Sequence, residues 1–281
     1  MHDHRQHRVP GANVGDRSGR LTLRRRFDQL LPGSIQLAAR RVRDLLRAEI
    51  RRGAFVDGRL PAESELMAQH QASRETVREA LDLLRRDGLV ERRRGVGTMT
   101  IREEYVVPGV LPPQGNLFEM YLADGHITPR LLRWNWIPAP SAVAAQLDGV
   151  AVDDDCLCID YVLLIDDRPM AVFTNYLRST EASRVDQQEF RTDFYSLLHS
   201  SDVTVAGFDL AVQAAAADDC SATLLHIAQG DPILLWEQTI RNPDGEAVDY
   251  ALGALRGDVV MKFGDIPRID LTRSLPPRQP R

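Results

Sequence analysis

Lysine is nearly missing from this chain: Lys262 is the only one in 281 residues, and arginine carries the rest of the positive charge. Cysteine is scarce as well. Cys156, Cys158 and Cys220 supply neither a disulfide framework nor a zinc-ligand spacing, which excludes a stapled or zinc-built fold. They read as small buried hydrophobes, with Cys156 and Cys158 on one face of a strand. No apolar run approaches the roughly 20 residues that a membrane-crossing helix needs, and the arginine-rich N-terminus lacks the apolar segment of a secretory signal. These absences point to a cytoplasmic chain with no membrane partner.

The length suits two domains of ordinary size, each able to bury its own core. The net charge of −5 conceals an asymmetry. Residues 1–102 hold 22 arginines against 13 acidic residues, whereas the remainder holds 13 basic and 27 acidic ones. A basic half joined to an acidic half fits a nucleic-acid-binding domain fused to one that does not bind, because phosphate attraction needs cations only where the duplex docks.

Residues 1–33, with Arg24-Arg25-Arg26, scattered His and Gly and little periodicity, read as a mostly disordered basic arm, either touching phosphates or simply solvated. From residue 34 the pattern changes. Ile35, Leu37, Val42, Leu45, Leu46 and Ile50 recur at helical spacing with arginines between them, and Gly53 stops the helix. Pro61 precedes a short helix over 63–70. Ser73 is a good N-cap for a third, which continues through Val77, Ala80, Leu81 and Leu84 to Gly88. Residues 89–101 form two short extended segments around a glycine turn, a hairpin wing. Residues 102–116, with Pro108, Pro112, Pro113 and Gly115, have the composition of a linker.

Beyond the linker, strand patterns dominate. Segments 156–165 and 169–177 flank a turn at Asp166-Asp167-Arg168; segments 233–241 and 247–255 flank Asn242-Pro243-Asp244-Gly245. Segments 131–137 and 208–216 add strands, and 141–147, 192–200 and 218–228 read as short helices. The expected second domain, over 117–265 with a tail at 266–281, is an antiparallel sheet with helices on it, so the fold class is α+β.

A helix-turn-helix presents the start of its last helix to the major groove, so residues there should be polar and flanked by cations. Ser73, Arg74, Glu75, Thr76 and Arg78 satisfy this: arginine suits guanine, Glu75 a cytosine amino group, and the hydroxyls phosphate or base. A charged solvent face on an ordinary amphipathic helix would look alike. The runs Gly58-Arg59-Leu60-Pro61-Ala62-Glu63-Ser64-Glu65-Leu66, Ser73 through Leu81, Asp87-Gly88-Leu89-Val90 and Gly95-Val96-Gly97-Thr98, in this order and spacing, resemble the GntR family of bacterial regulators. The resemblance implies a winged helix-turn-helix over 34–101 and a homodimer reading a palindromic double-stranded DNA operator. It also implies base or phosphate contacts from Ser64, Ser73, Arg74, Thr76 and Arg78, with Arg94, Gly95, Gly97 and Thr98 on the wing. A side chain at Gly95 or Gly97 would hold the backbone off the duplex or block a positive φ, although a plain turn glycine looks the same.

The strand-rich half resembles the UTRA domain of the HutC-type subfamily, with its chorismate-lyase-like fold, through Asp167-Arg168-Pro169-Met170-Ala171, residues 193–198, residues 244–249, and Arg256-Gly257-Asp258 followed by Phe263. An all-helical metal-dependent sensor is not indicated by His126, His199 and His226, and an aminotransferase-like sensor is far longer and needs a Schiff-base lysine. The resemblance implies an effector pocket at Tyr161, Leu163, Phe173, Asp193, Tyr195, Asp249 and Leu255. Phosphosugar-sensing relatives carry arginines where this chain has Tyr161 and Leu163, and a carboxylate at Phe173, so the expected effector is not a phosphosugar. A less anionic, apolar or aromatic molecule is expected, cationic if Asp193 and Asp249 both face it. Leu163 and Leu255 serve equally well as plain sheet packing. Arg256 with Asp258 reads as an ion pair or a helix start, and Asp153-Asp154-Asp155 as a solvated turn. Neither provides a general acid with a partner, so no catalysis, metal or cofactor is expected. The resulting expectation is a ligand-released repressor; its rivals are a constitutive DNA-binding regulator whose second domain only dimerises, and a lyase-like enzyme.

Overall fold

The computed structural model describes residues 33–101 and 127–258. The expected basic arm, the linker and the tail, together with His126, Lys262 and Phe263, lie outside the described residues. Three helices open the described chain: α1 (Ser34–Arg51), α2 (Glu63–Gln69) and α3 (Arg74–Arg86). Ser73 caps α3, its hydroxyl accepting from the Thr76 amide at 3.1 Å, which satisfies one of the orphan donors of the first turn. Strands β1 (Val90–Arg93) and β2 (Gly97–Thr100) pair antiparallel as the expected wing. Gly95 and Gly97 both have positive φ, 77° and 118°, a region that costs a side chain dearly.

The second half contains β3 (Ile127–Pro138), α4 (Ser141–Ala144), β4 (Asp155–Ile165), β5 (Arg168–Arg178), α5 (Ser179–Ala182), α6 (Phe194–Ser200), β6 (Gly207–Ala216), α7 (Asp219–Leu225), β7 (Pro232–Arg241) and β8 (Ala247–Arg256). The strands form one antiparallel sheet in the order β3-β4-β5-β8-β7-β6. The two expected hairpins, β4–β5 and β7–β8, are its centre. Asp166 and Asp167 both adopt positive φ, 48° and 65°, as a tight two-residue hairpin turn requires. Strand β3 runs further than 131–137 and includes Pro129; it lies at the sheet edge, where a missing backbone donor is tolerated. Helix α7 stops at Leu225 instead of continuing to 228, because His226 turns left-handed at φ 53°.

Because β4, β5, β7 and β8 are covered on both sides, they alternate between two buried faces. One face carries Tyr161, Phe173 and Trp236 and packs with Phe190, Phe194 and Leu197 into the larger core. The other carries Cys156, Cys158, Tyr176, Tyr250 and Leu252, and what it packs against is α1, through Leu45 and Ala48. The same helix supplies Val42, Leu46 and Ile50 to the core of the helix-turn-helix, beside Leu66, Val77, Leu81 and Leu84. Helix α1 therefore lies between two cores, and even Arg40 and Arg43 are only 1% and 2% exposed.

Those buried guanidinium groups are paired, as burial demands. Arg40 reaches Asp44 at 3.0 Å and donates to Thr174 Oγ1 on β5 at 2.7 Å, while Thr174 donates to Asp160 on β4 at 2.6 Å. Arg43 bonds Asp218, the N-cap of α7, at 2.6 Å and lies 3.6 Å from Asp87, the C-cap of α3. Arg47 also pairs with Asp87. At the far end of α1, Arg51 and Arg52 meet Glu237 of β7, and Arg52 also donates to the Tyr250 hydroxyl at 3.2 Å. Burial would lift the Asp218 carboxyl, yet Arg43 and the Ser221 hydrogen bonds hold it below its ordinary value.

Candidate reading surface and buried polar pocket

Helices α2 and α3 cross so that the start of α3 is presented outward. Ser64, Ser73, Arg74, Glu75 and Arg78 are exposed, and Arg78 Nε donates to Glu63 on α2 at 3.1 Å. Thr76 stands apart from this group. It is buried, and its hydroxyl lies 2.9 Å from that of Ser73, so it supports the cap rather than the outer surface. On the wing Arg94, Gly95 and Gly97 are exposed, and Thr98 is half-buried with its carbonyl accepting from Leu60 at 3.0 Å. A cleft of about 250 Å³ runs beside the start of α3, lined by Arg41, His70, Ser73 and Thr76 and by Arg133 of β3. Burial holds the His70 imidazole down at about 4, so it is neutral at physiological pH.

On the larger core's face the sheet register sets side chains in rows across four strands. Leu163, Ala171, Leu255 and Leu234 make one row; Tyr161, Phe173, Gly253 and Trp236 the next. Phe173 stacks over Gly253, where a Cβ would meet its ring at 2.4 Å. Tyr161 contacts Phe173 and, edge-on at 4.9 Å, Phe190. The third row is Ile159, Asn175, Ala251 and Gln238, and Asp249 follows in the fourth. Six of the seven expected pocket residues are thus deeply buried on this one face or its covering helix α6, and the seventh, Tyr195, is half-buried there. Leu163 and Leu255 sit at the apolar end, 1% exposed, as core packing.

Asp193 is occupied locally. It caps α6, one oxygen accepting from the Tyr195 and Ser196 amides at 2.9 and 3.0 Å and the other from the Ser196 hydroxyl at 2.7 Å. Asp249 has no such set. It is fully buried, receives one bond from Asn175 Nδ2 at 2.8 Å, and among the described residues its Oδ1 has no partner. Burial lifts its carboxyl far above the ordinary range, the Asn175 bond only partly opposing. Burial raises the Tyr161 and Tyr195 phenols too, with Asp249 adding to both. Asn175 and Gln238 were not foreseen from sequence, since polar residues in a strand ordinarily mark its wet side.

Arg256 and Asp258 form the expected ion pair at 2.8 Å, joined by Arg168, and the Arg256 hydrogen bond holds the Asp258 carboxyl at about 2. In the acidic run, Asp154 accepts from the Ala151 amide and Asp153 turns left-handed at φ 71°. Among the described residues no His, Cys, Asp or Glu cluster is arranged to hold a metal, and no helix is long and apolar enough to cross a membrane.

Comparison with known proteins gives two family matches. Residues 38–100 match the bacterial regulatory proteins of the gntR family, and residues 123–260 match the UTRA domain. The chain is 30% identical to the HTH-type transcriptional regulator Rv0792c of Mycobacterium tuberculosis, over 79% of this chain and 81% of the relative. It is 27% identical to the repressor NagR of Bacillus subtilis (77% and 89%) and 29% identical to the histidine utilization repressor of Pseudomonas aeruginosa (69% and 78%). The crystal structure of PhnF from Mycobacterium smegmatis is similar at 26% identity, over 77% of this chain and 95% of that one, with a TM-score of 0.46.

Proposed function

The chain belongs to the GntR family of bacterial transcriptional regulators, with a UTRA domain behind its helix-turn-helix, and we propose that it is a cytoplasmic, dimeric repressor released from a palindromic operator by a small effector. Residues 34–101 are the reader, 102–116 the connection, and 117–265 the sensor and dimerisation domain. Residues 1–33 and 266–281 are terminal arms. Ser64, Ser73, Arg74, Glu75 and Arg78 face the major groove. Thr76 acts behind them, and Arg94, Gly95, Gly97 and Thr98 meet the backbone or minor groove. It is a regulator and no enzyme.

The observation that carries this proposal is the double membership of α1, whose leucines belong to both the reader core and the sheet face. A molecule that alters the sheet biases how the reader is held, because its affinity differs between the DNA-competent and incompetent arrangements. Tyr161, Phe173, Tyr195 and Asp249 touch that molecule, Leu163 and Leu255 close its apolar end, and Asp193 fixes the helix that covers it.

The test is retention of genomic DNA flanking the protein's own coding sequence, with and without metabolite extracts. Retention that an extract relieves supports a ligand-released repressor; retention indifferent to every extract supports a constitutive binder. Arg78→Ala is expected to abolish sequence-specific retention while leaving the melting temperature unchanged, and unaltered retention would overturn the assignment of α3.

A further inference from the structure

Four polar atoms in the core of the sensor lack a full set of partners among the described residues: Asn175 Oδ1 and Asp249 Oδ1 have none, and Tyr195 Oη and Gln238 Nε2 have only each other. Such atoms are rare in folded proteins, because each costs about 1–3 kcal/mol when left unpaired. Here they converge. Asn175 on β5 and Gln238 on β7 flank the same residue of β8, Ala251, from opposite sides. Asp249 lies two residues before Ala251 on that strand and therefore on the same face.

With strands about 4.8 Å apart, the two amides stand about 10 Å apart across the smallest side chain in the row. Ala251 thus leaves a low point in the row between Asn175 and Gln238, with Asp249 beside it, and Tyr195 of α6 reaches Gln238 and Asp249 from above. The adjoining row, Tyr161, Phe173 and Trp236, is aromatic. Asn175 presents an acceptor, Gln238 presents a donor, and Tyr195 and the Asp249 carboxyl can each act as either. Among the described residues no arginine faces this row to meet an anion, and Asp193, the second carboxylate nearby, has both oxygens engaged in capping.

From this juxtaposition we propose that the effector is a neutral planar molecule bearing a carboxamide-type edge. Its N–H group donates to Asn175 Oδ1, its carbonyl accepts from Gln238 Nε2, Asp249 Oδ1 and Tyr195 Oη close the edge on either side, and its flat body lies against Phe173 and Trp236. The proposal rests on the effector pocket lying on this sheet face, and it makes Asn175 and Gln238 the specificity-determining residues.

Benzamide, benzamidinium and benzoate share a ring and differ in the head group, so titrating the full chain with each by calorimetry and thermal melting reads the class directly. Benzamide is expected to bind saturably and about tenfold or more tighter than either ion, since each ion mismatches one of the buried partners. Preference for benzoate or benzamidinium, or no saturable binding of any of the three, overturns the proposal. Gln238→Met and Asp249→Leu, which remove the polar head at similar size, are each expected to weaken benzamide about tenfold. A cooperative melt of each ligand-free variant checks that its fold is kept. Unchanged benzamide affinity in both variants places the molecule elsewhere and overturns the site. None of these readouts involves DNA, so they fail or succeed separately from operator release.

Discussion

Asp193 and Gly253 are two residues whose identity is forced by contacts a few ångströms away. Replacing Asp193 with Ala removes the cap of α6 and is expected to cost about 0.5–2 kcal/mol in urea denaturation, whereas Asp193→Asn keeps most of the cap. At Gly253 a Cβ would stand 2.4 Å from the Phe173 ring and 2.8 Å from the Val172 carbonyl. Gly253→Ala should therefore destabilise the chain by about 1–3 kcal/mol through overpacking, and a melting temperature equal to the parent's would contradict that geometry. At this scale a family pattern marked Tyr161, Phe173 and Asp249, and the structure sets all three, buried, on one face of the sheet. The sequence was silent at Asn175 and Gln238. In a strand buried on both faces alternation no longer tells inside from outside, so a polar residue facing the core looks like one facing water.

Helix α1 shows the same limit at the level of an element. Its period and its end near Gly53 could be read from the apolar spacing, but its arginines looked like a solvated or phosphate-facing stripe. The structure buries Arg40, Arg43 and Arg47 against acidic partners on the sheet domain, on α1 itself and at the end of α3. Arg43→Ala leaves Asp218 buried without its partner and is expected to cost about 3–5 kcal/mol by urea denaturation. The Asp218 carboxyl sits below its ordinary value in the fold, so its contribution is fully present above the unfolded-state value of about 3.9 and is lost as pH falls through the depressed one. The stability gap between the parent and Asp218→Asn should accordingly be constant from pH 7 to about 5 and shrink progressively as pH falls below the unfolded-state value of about 3.9. A gap that persists at the acid end would mean that Arg43 does not hold this carboxylate.

Across the whole molecule, charge asymmetry and the order of helices before strands were enough to give the two-part α+β architecture. What composition could not reveal is that three of the five arginines on α1 are internal. In the proposed function, binding to a duplex would then rest on exposed cations of α3 and the wing, among them Arg74, Arg78, Arg92, Arg93 and Arg94. In a plot of log affinity against log salt, Arg94→Ala should flatten the slope by about 1 unit if that residue meets a phosphate. Retention of the full slope would remove it from the interface. The shared helix also bears on how such regulators are recombined. A hybrid made by exchanging everything up to residue 101 would bring a foreign α1 to a sheet whose Asp160, Asp218 and Glu237 await particular arginines. A junction just after Gly53 would instead keep α1 with the sheet that shaped it, and would ask the incoming reader to accept Val42, Leu46 and Ile50 and to offer a carboxylate where Asp87 meets Arg43 and Arg47.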